Sequence, residues 1–169
     1  MAGAAGDALG YEVEFMSQKF ILSRFGKQGI TQFALDENGK ALISDDTQMT
    51  LFTANGLLTG ITMNRMTDSS DKAELLIIAA YLDWYYTQTG ERGKHQQFTW
   101  LRELQEMCCR RAPGTTCMSA CATMMYNDKV VNHSKGCGGI MRVAPMALLV
   151  DQSPDSGRYY CSLEELAEG

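Results

Sequence analysis

The chain passes from an apolar segment into an amphipathic helix at Ile43-Ser44-Asp45-Asp46-Thr47-Gln48-Met49-Thr50-Leu51-Phe52. Met49 and Phe52 are spaced for burial on one face, and the pattern predicts a helix over Thr47–Gly60. Ser44 or Asp45 is suited to cap its first turn, where the helix dipole favours a further acid. Paired carboxylates and hydroxyls on a rigid element equally suit Mg²⁺ or Mn²⁺. The residues alone therefore leave a helix cap and a hard-metal site both open.

Hydrophobic periodicity predicts helices along the rest of the chain. One begins at a capping box of Asp71 and Glu74 and ends before Gly90. Its apolar face is predicted from helical spacing as Leu75, Ile78, Ala79, Leu82 and Tyr85. Four more helices are predicted, over Ala2–Val13, Phe98–Cys109, Cys117–Asn127 and Gly139–Leu149. Because no segment shows the sustained alternation of a strand, we expect an all-α fold, an orthogonal multi-helix bundle in a single domain.

The composition excludes several classes of protein. Hydrophobic residues make up 45% of the chain and charged residues 21%, which suits a packed globular core rather than a disordered chain. The net charge of −5 argues against a nucleic-acid-binding surface, which normally has a basic face. No apolar run approaches the roughly 20 residues that span a bilayer, and no signal peptide follows Met1. We therefore expect a cytoplasmic protein without a membrane or nucleic-acid partner, whose six cysteines are reduced.

Two glycine-rich segments stand near the two ends of the chain. In Gly3-Ala4-Ala5-Gly6-Asp7-Ala8-Leu9-Gly10 the small residues allow close backbone approach, and Glu12 and Glu14 follow. The second, Ser134-Lys135-Gly136-Cys137-Gly138-Gly139-Ile140-Met141-Arg142-Val143-Ala144-Pro145, is a turn that leads into an apolar helix. Amides at such a positive helix end form a cradle for phosphate or pyrophosphate. A plain helix-start loop would need the same glycines, so both interpretations remain open.

Taken in order, these motifs resemble the ADP-ribosylglycohydrolase family. The family has a Gly-Asp-Ala-Leu-Gly helix with a Glu seven residues after its Asp, matched by Asp7 and Glu14. A Thr/Ser-Asp-Asp-Thr metal motif is matched by Ser44–Thr47, and a Gly-rich Met-Arg-x-Ala-Pro segment by Gly138–Pro145. The loop Arg110–Cys117 is also similar to one found in many bacterial members. The resemblance covers essentially all 169 residues and implies the same all-α fold.

The resemblance implies a hydrolase that removes ADP-ribose from a modified protein or small molecule by cleaving the glycosidic bond at the anomeric carbon. Two Mg²⁺ ions, or Mn²⁺, would be held in part by Ser44, Asp45 and Asp46. The catalytic residues would be Asp45, Asp46 and Glu14, with Asp7 supporting the helix and loop. The implied substrate contacts come from Glu14 and the glycine-rich turn: Gly138, Gly139, Ile140, Met141 and Arg142.

The chain also departs from the family pattern. Family members complete the two-metal site with an Asp-x-Asp-Thr motif, which these 169 residues do not contain, and Cys137 replaces a common Asn. A capping box of Ser162 and Glu165 starts a helix close to the last residue. We therefore expect residues 1–169 to be the N-terminal part of one domain, incomplete at its C-terminus and inactive alone. Apolar faces on Thr47–Gly60 and Gly139–Leu149 would then favour self-association. The alternative is a non-catalytic protein of this fold, either ADP-ribose-binding or structural like a lens crystallin.

Overall fold

Helices account for all the regular structure described in a computed structural model of the chain, which covers residues 1–67, 72–91, 96–126, 129–131 and 133–152. The α-helices in this part are α1 (Ala2–Tyr11), α2 (Gln18–Phe25), α3 (Asp45–Thr67), α4 (Lys72–Thr89), α5 (Thr115–Met124) and α6 (Ala144–Gln152). Short 3₁₀ helices span Trp100–Glu103, Gln105–Cys108 and Ile140–Arg142. Strand-like pairing in the described ranges is limited to one bridge, between Leu35 and Ala41. The all-α prediction is confirmed.

The long helices α3 and α4 pack closely because glycine lines their contact. A Cβ atom at Gly56 would lie 2.7 Å from the Ile77 Cα atom, and one at Gly60 would lie 2.5 Å from the Ala73 Cα atom. Real Cβ atoms do not approach other atoms this closely, so any side chain would force the helices apart. The two glycines therefore fix the spacing of α3 and α4, on which the rest of the core is built.

The core lies between α3 and α4 and is closed by α5, α6 and the 3₁₀ segments. Its members are almost fully shielded from solvent: Met49, Phe52, Ile77, Ala80, Tyr81, Trp84, Leu101, Met107, Cys117, Cys121 and Met146. The apolar face predicted for α4 is wrong by about one residue. Leu75 is 64% exposed, whereas Ile77 and Trp84 are buried. Helix α3 continues to Thr67 instead of ending at Gly60, and Leu58 is exposed.

The predicted helix over Phe98–Cys109 is wrong. Two 3₁₀ helices replace it, separated by the extended backbone of Leu104. Buried Asp83 on α4 accepts hydrogen bonds from the backbone amides of Phe98 and Thr99 and forms a 2.8 Å ion pair with Arg102. These contacts hold the start of the segment against α4, and the extended backbone at Leu104 interrupts the helix.

The predicted helix over Gly139–Leu149 is interrupted. A 3₁₀ turn at Ile140–Arg142 is followed by α6, which begins at Ala144. Pro145 has no amide hydrogen and clashes with the turn before it inside a helix, but is tolerated in the first turn of a new one. Helix α2, whose first turn is capped by Ser17, was not predicted.

The remaining helix predictions are close. Helix α1 ends at Tyr11 rather than Val13, and α5 covers Thr115–Met124 rather than Cys117–Asn127. Helix α4 ends as predicted, since Gly90 has a positive φ of 76° and the Glu91 amide donates to the Tyr86 carbonyl. Both predicted capping boxes, through Asp71 and through Ser162 and Glu165, lie outside the described residues.

Five cysteines lie in the described part of the chain, and all five are free thiols, as expected: Cys108, Cys109, Cys117, Cys121 and Cys137. Among the described helices, none combines the length and the apolar character needed to cross a bilayer. Some apolar side chains remain largely in solvent, including Leu58 on α3 and Leu148 on α6. Self-association through such a face stays a prediction.

Candidate functional site

The first turn of α3 is anchored to α1 by Asp7. One oxygen of the Asp7 carboxylate, Oδ2, accepts hydrogen bonds from the amide of Ser44 at 3.0 Å and from the amide of Thr47 at 3.2 Å. The hydroxyl of Thr47 donates to the same oxygen. Asp7 therefore supports the helix start, as the sequence suggested. Ser44 acts as the cap, because its Oγ atom accepts a hydrogen bond from the Asp46 amide at 3.1 Å.

Asp45 is held by the loop that precedes α5. Its Oδ2 atom accepts a 3.0 Å hydrogen bond from the Gly114 amide, and its own amide donates to the Arg111 carbonyl at 2.9 Å. The residue is only 5% exposed. Between its two partners, Ala112 has a φ of 51°, in the left-handed region that costs energy for a residue with a Cβ atom. The strained loop and α3 thus fix the Asp45 carboxylate from both sides.

Four acids place negative charge at this point of the molecule. Burial raises the pKa of Asp45 to about 6 against the opposing Gly114 hydrogen bond, and the charges of Asp46 and Glu14 add to the rise. Burial and the charge of Asp7 raise the pKa of Asp46. The pKa of Glu14 is raised by burial and then by Asp46 and Asp7. Within the described ranges, no lysine or arginine forms an ion pair with any of the four.

The glycine-rich turn lies against the same end of α3. The Thr50 hydroxyl contacts both the Asp46 carbonyl at 2.7 Å and the Met141 carbonyl at 3.0 Å. The Met141 amide donates to the Cys137 carbonyl and is therefore already occupied. The amides of Gly138 and Gly139 donate to no group that the structure describes. Because α6 starts only at Ala144, these two amides precede a 3₁₀ turn and not the end of an α-helix, contrary to expectation.

Gly138 has no room for a side chain. A Cβ atom there would lie 2.6 Å from the Cys117 Sγ atom on α5. The backbone of the turn therefore rests directly on the buried Cys117 thiol. Ile140 points outward and is 75% exposed. Arg142, also predicted to hold substrate, extends toward Tyr81 on α4, with its guanidinium carbon 4.6 Å from the ring centroid.

The acids supply carboxylate oxygens, the type of ligand atom that a hard cation binds. One Asp45 oxygen and the Asp46 carboxylate accept no side-chain or loop hydrogen bond from the described residues. Uncompensated carboxylate oxygens are the ligands that Mg²⁺ prefers, and Mg²⁺ is usually bound through one or two carboxylates, waters and substrate phosphates. However, no three His, Cys, Asp or Glu side chains in the described part of the chain are grouped so as to hold one ion. Further ligands would have to come from water, substrate or other residues.

Gln48, one turn after Asp45, was missed from the sequence. Its side chain is fully buried and makes four hydrogen bonds. Its Nε2 atom donates to the Glu106 carbonyl at 3.1 Å and the Cys109 carbonyl at 2.9 Å. Its Oε1 atom accepts from Trp84 Nε1 at 3.3 Å and Gln88 Nε2 at 3.2 Å. Gln48 therefore connects α3 and α4 to the segment that leads into the Asp45-binding loop. Gln48 lies four residues before Phe52, on the same helix face. This spacing could have been used to predict from the sequence that Gln48 is buried.

Comparison with known proteins gives one match. The family model described as ADP-ribosylglycohydrolase matches residues 1–166, which is nearly the whole chain. No curated protein and no solved structure gives a significant match.

Proposed function

The chain belongs to the ADP-ribosylglycohydrolase family, and on that premise we propose that it carries part of the active site of a Mg²⁺-dependent hydrolase that removes ADP-ribose from a modified protein or small molecule. The bond cleaved would be the glycosidic bond at the anomeric carbon. The observation that carries the proposal is the group of four acids, Asp7, Glu14, Asp45 and Asp46, which form no ion pair with any described lysine or arginine. They lie next to a turn in which the Gly138 and Gly139 amides donate to no described group.

The acids suit the charge that develops during the reaction. Cleavage at the anomeric carbon produces positive charge on the ribose ring, which nearby carboxylates stabilise. Ser44, Asp45 and Asp46 are the residues that would hold the Mg²⁺ ions, which would orient the ribose hydroxyls and activate water. The remaining acid, Glu14, is exposed, and its raised pKa brings its proton affinity closer to neutral pH. We assign Glu14 a role in substrate binding and proton transfer.

The glycine-rich turn would bind the anionic end of the ligand. Backbone amides are neutral donors, and two in succession suit the oxygens of a phosphate or pyrophosphate. Gly138 and Gly139 offer such amides, whereas the Met141 amide is already bonded. An arrangement with donors for phosphate on one side and acids for ribose on the other matches the two halves of ADP-ribose.

A non-catalytic role is the second candidate. It is supported by one observation: the described residues contain no group of three acidic, histidine or cysteine side chains able to hold an ion. A protein with this partial site would bind ADP-ribose through the turn and Glu14 without cleaving it, or would serve only as a structural protein.

Release of free ADP-ribose from ADP-ribosylated protein or peptide tests the proposal. We expect no turnover from residues 1–169 alone. In a protein that also supplies the Asp-x-Asp-Thr motif, we expect turnover with Mg²⁺ or Mn²⁺, none with EDTA, and recovery when Mg²⁺ is restored. Asp46→Asn and Glu14→Gln should each lower kcat by about a hundredfold or more, the usual range for a catalytic acid or base. Glu37→Gln removes one exposed charge that is not among those raising the pKa values of Glu14, Asp45 and Asp46, and its activity should be unchanged. Activity that persists in EDTA would overturn the metal role, and binding of ADP-ribose without turnover would favour the non-catalytic candidate.

A further inference from the structure

Arg142 is enclosed by groups that carry no negative charge. Its guanidinium lies over the Tyr81 ring, and its Nη1 atom is 3.6 Å from Met49 Sδ and 3.9 Å from Cys117 Sγ. These partners come from three helices: α3, α4 and α5. No carboxylate in the described ranges pairs with it. A planar cation is well suited to stacking on an aromatic face, so the side chain is held by its shape as well as by its charge.

These contacts connect the glycine-rich turn to the core. Arg142 is the last residue of the 3₁₀ turn, three residues after Gly139. Cys117, which the guanidinium approaches, also lies directly under Gly138. Met49 is on the helix turn that begins at Asp46. A single side chain therefore joins the turn to the helix that carries the acids.

We propose that Arg142 is a positioning residue, which fixes the Gly138–Met141 turn against α3, α4 and α5 instead of binding the anionic ligand itself. Its effect on ligand binding rests on the proposed function, because that effect is exerted through the free amides of Gly138 and Gly139. Its effect on the position of the turn does not rest on that function and is measurable without any substrate.

Cys117 provides a probe for the position of the turn. Its thiol is 3% exposed and is covered by Gly138, whereas the Cys121 thiol, one helical turn away, is 1% exposed and contacts the Tyr81 carbonyl instead. Release of the turn should expose Cys117 and leave Cys121 protected. Global unfolding should expose both. Alkylation by iodoacetamide, quantified for each cysteine by mass spectrometry, separates the two events.

In Arg142→Met, we expect the alkylation rate of Cys117 to rise at least tenfold while that of Cys121 changes less than twofold. Burial raises the pKa of the Cys117 thiol, and the positive charge of Arg142 opposes that rise, so loss of the charge alone would slow alkylation. Faster alkylation of Cys117 in this variant therefore indicates that its thiol has become accessible to the reagent. Arg142→Lys keeps the charge but loses the planar group, and we expect a smaller rise. The control Arg24→Met removes an exposed arginine that pairs with Glu12 on the surface, and it should leave both thiols protected.

Two results would overturn the proposal. If Cys117 stays protected in Arg142→Met, the turn does not depend on Arg142, and any loss of ADP-ribose affinity would mean direct contact with the ligand. If Cys117 and Cys121 become reactive together, Arg142 supports the whole core and has no specific effect on the turn. In an active protein, the positioning role further predicts at least a tenfold rise in KM with kcat changed less than threefold, because the acids stay in place.

Discussion

Replacing Gln48 by leucine should destabilise the protein more than any other change of one uncharged polar side chain near the site. The leucine has a similar volume but leaves the Trp84 indole N–H and two carbonyls, those of Glu106 and Cys109, without their partner. Gln88 loses its hydrogen bond to Gln48 but keeps the one to Thr87, so its side-chain amide is not left without a partner. A buried polar group left unsatisfied costs about 1–3 kcal/mol.

The two carbonyls are only partly buried, so we take the lower end of that range for them and the middle for the indole. The sum is about 3–5 kcal/mol, part of which the apolar leucine offsets. At an m-value of about 2 kcal/mol per molar urea, the unfolding midpoint should fall by about 1–2 M. The matched control is Gln105→Leu, at an exposed glutamine, which should shift the midpoint by less than about 0.3 M. Equal midpoints for the two variants would refute the buried role of Gln48.

Three further changes have defined outcomes. Gly56→Ala places a Cβ atom 2.7 Å from the Ile77 Cα atom and should lower the free energy of unfolding in urea by about 1–3 kcal/mol. In the control Gly3→Ala the new Cβ atom meets open space, and this variant should be slightly stabilised. Equal effects of the two changes would contradict the close packing of α3 and α4. Asp7→Ala removes the acceptor of the Ser44 and Thr47 donors and should cost about 2–4 kcal/mol, whereas Asp36→Ala in an exposed surface turn should cost clearly less. Without divalent cations, Asp45→Asn should be more stable than the wild type at about pH 7.5, by about 1–3 kcal/mol once solvent screening is allowed for, because burial raises the folded-state pKa of Asp45 to about 6, above its ordinary value of 3.8. The stability that Asp45 contributes is present below its unfolded-state pKa and is lost as the pH rises through 6. The stability advantage of Asp45→Asn should therefore vanish near pH 4. A difference that stays constant with pH would exclude ionisation of Asp45 as its cause.

Local sequence signals predicted the helices that depend on local features. Ser44 caps α3, and Gly90 ends α4 with a positive φ, because caps and left-handed turns are determined by one or two residues. The 3₁₀ helices at Trp100–Glu103 and Gln105–Cys108 could not be predicted in the same way. They depend on Asp83 and Gln48, which reach them across 15 to 61 positions of sequence. Periodicity within a window does not contain that information.

The apolar face of α4 shows a different limit. Residues 75 to 80 are all apolar, so several faces fit the periodicity equally well. The contact with Gly56 on α3 places Ile77 and Ala80 in the buried interface. At the site, the expectation that Asp7 supports a helix and loop agrees with its hydrogen bonds to Ser44 and Thr47. Nothing in the sequence indicated that Arg142 would lie over Tyr81. A basic residue after a glycine-rich turn has the same sequence pattern whether it binds an anionic ligand or packs on an aromatic ring. The roles of Glu14, Asp45 and Asp46 stay predictions.

Binding of ADP-ribose followed by isothermal titration calorimetry, once with Mg²⁺ and once with EDTA, tests most directly whether the acids and the glycine-rich turn form one cation-dependent site. We expect binding with Mg²⁺ that weakens at least tenfold in EDTA, and the same loss in Asp46→Asn with Mg²⁺ present. Asp46→Asn keeps its backbone amide, which donates to Ser44, so its thermal unfolding should stay close to that of the wild type. Glu37→Gln should bind like the wild type. Equal ADP-ribose affinity with and without Mg²⁺, or an Asp46→Asn variant that binds normally, would contradict the site.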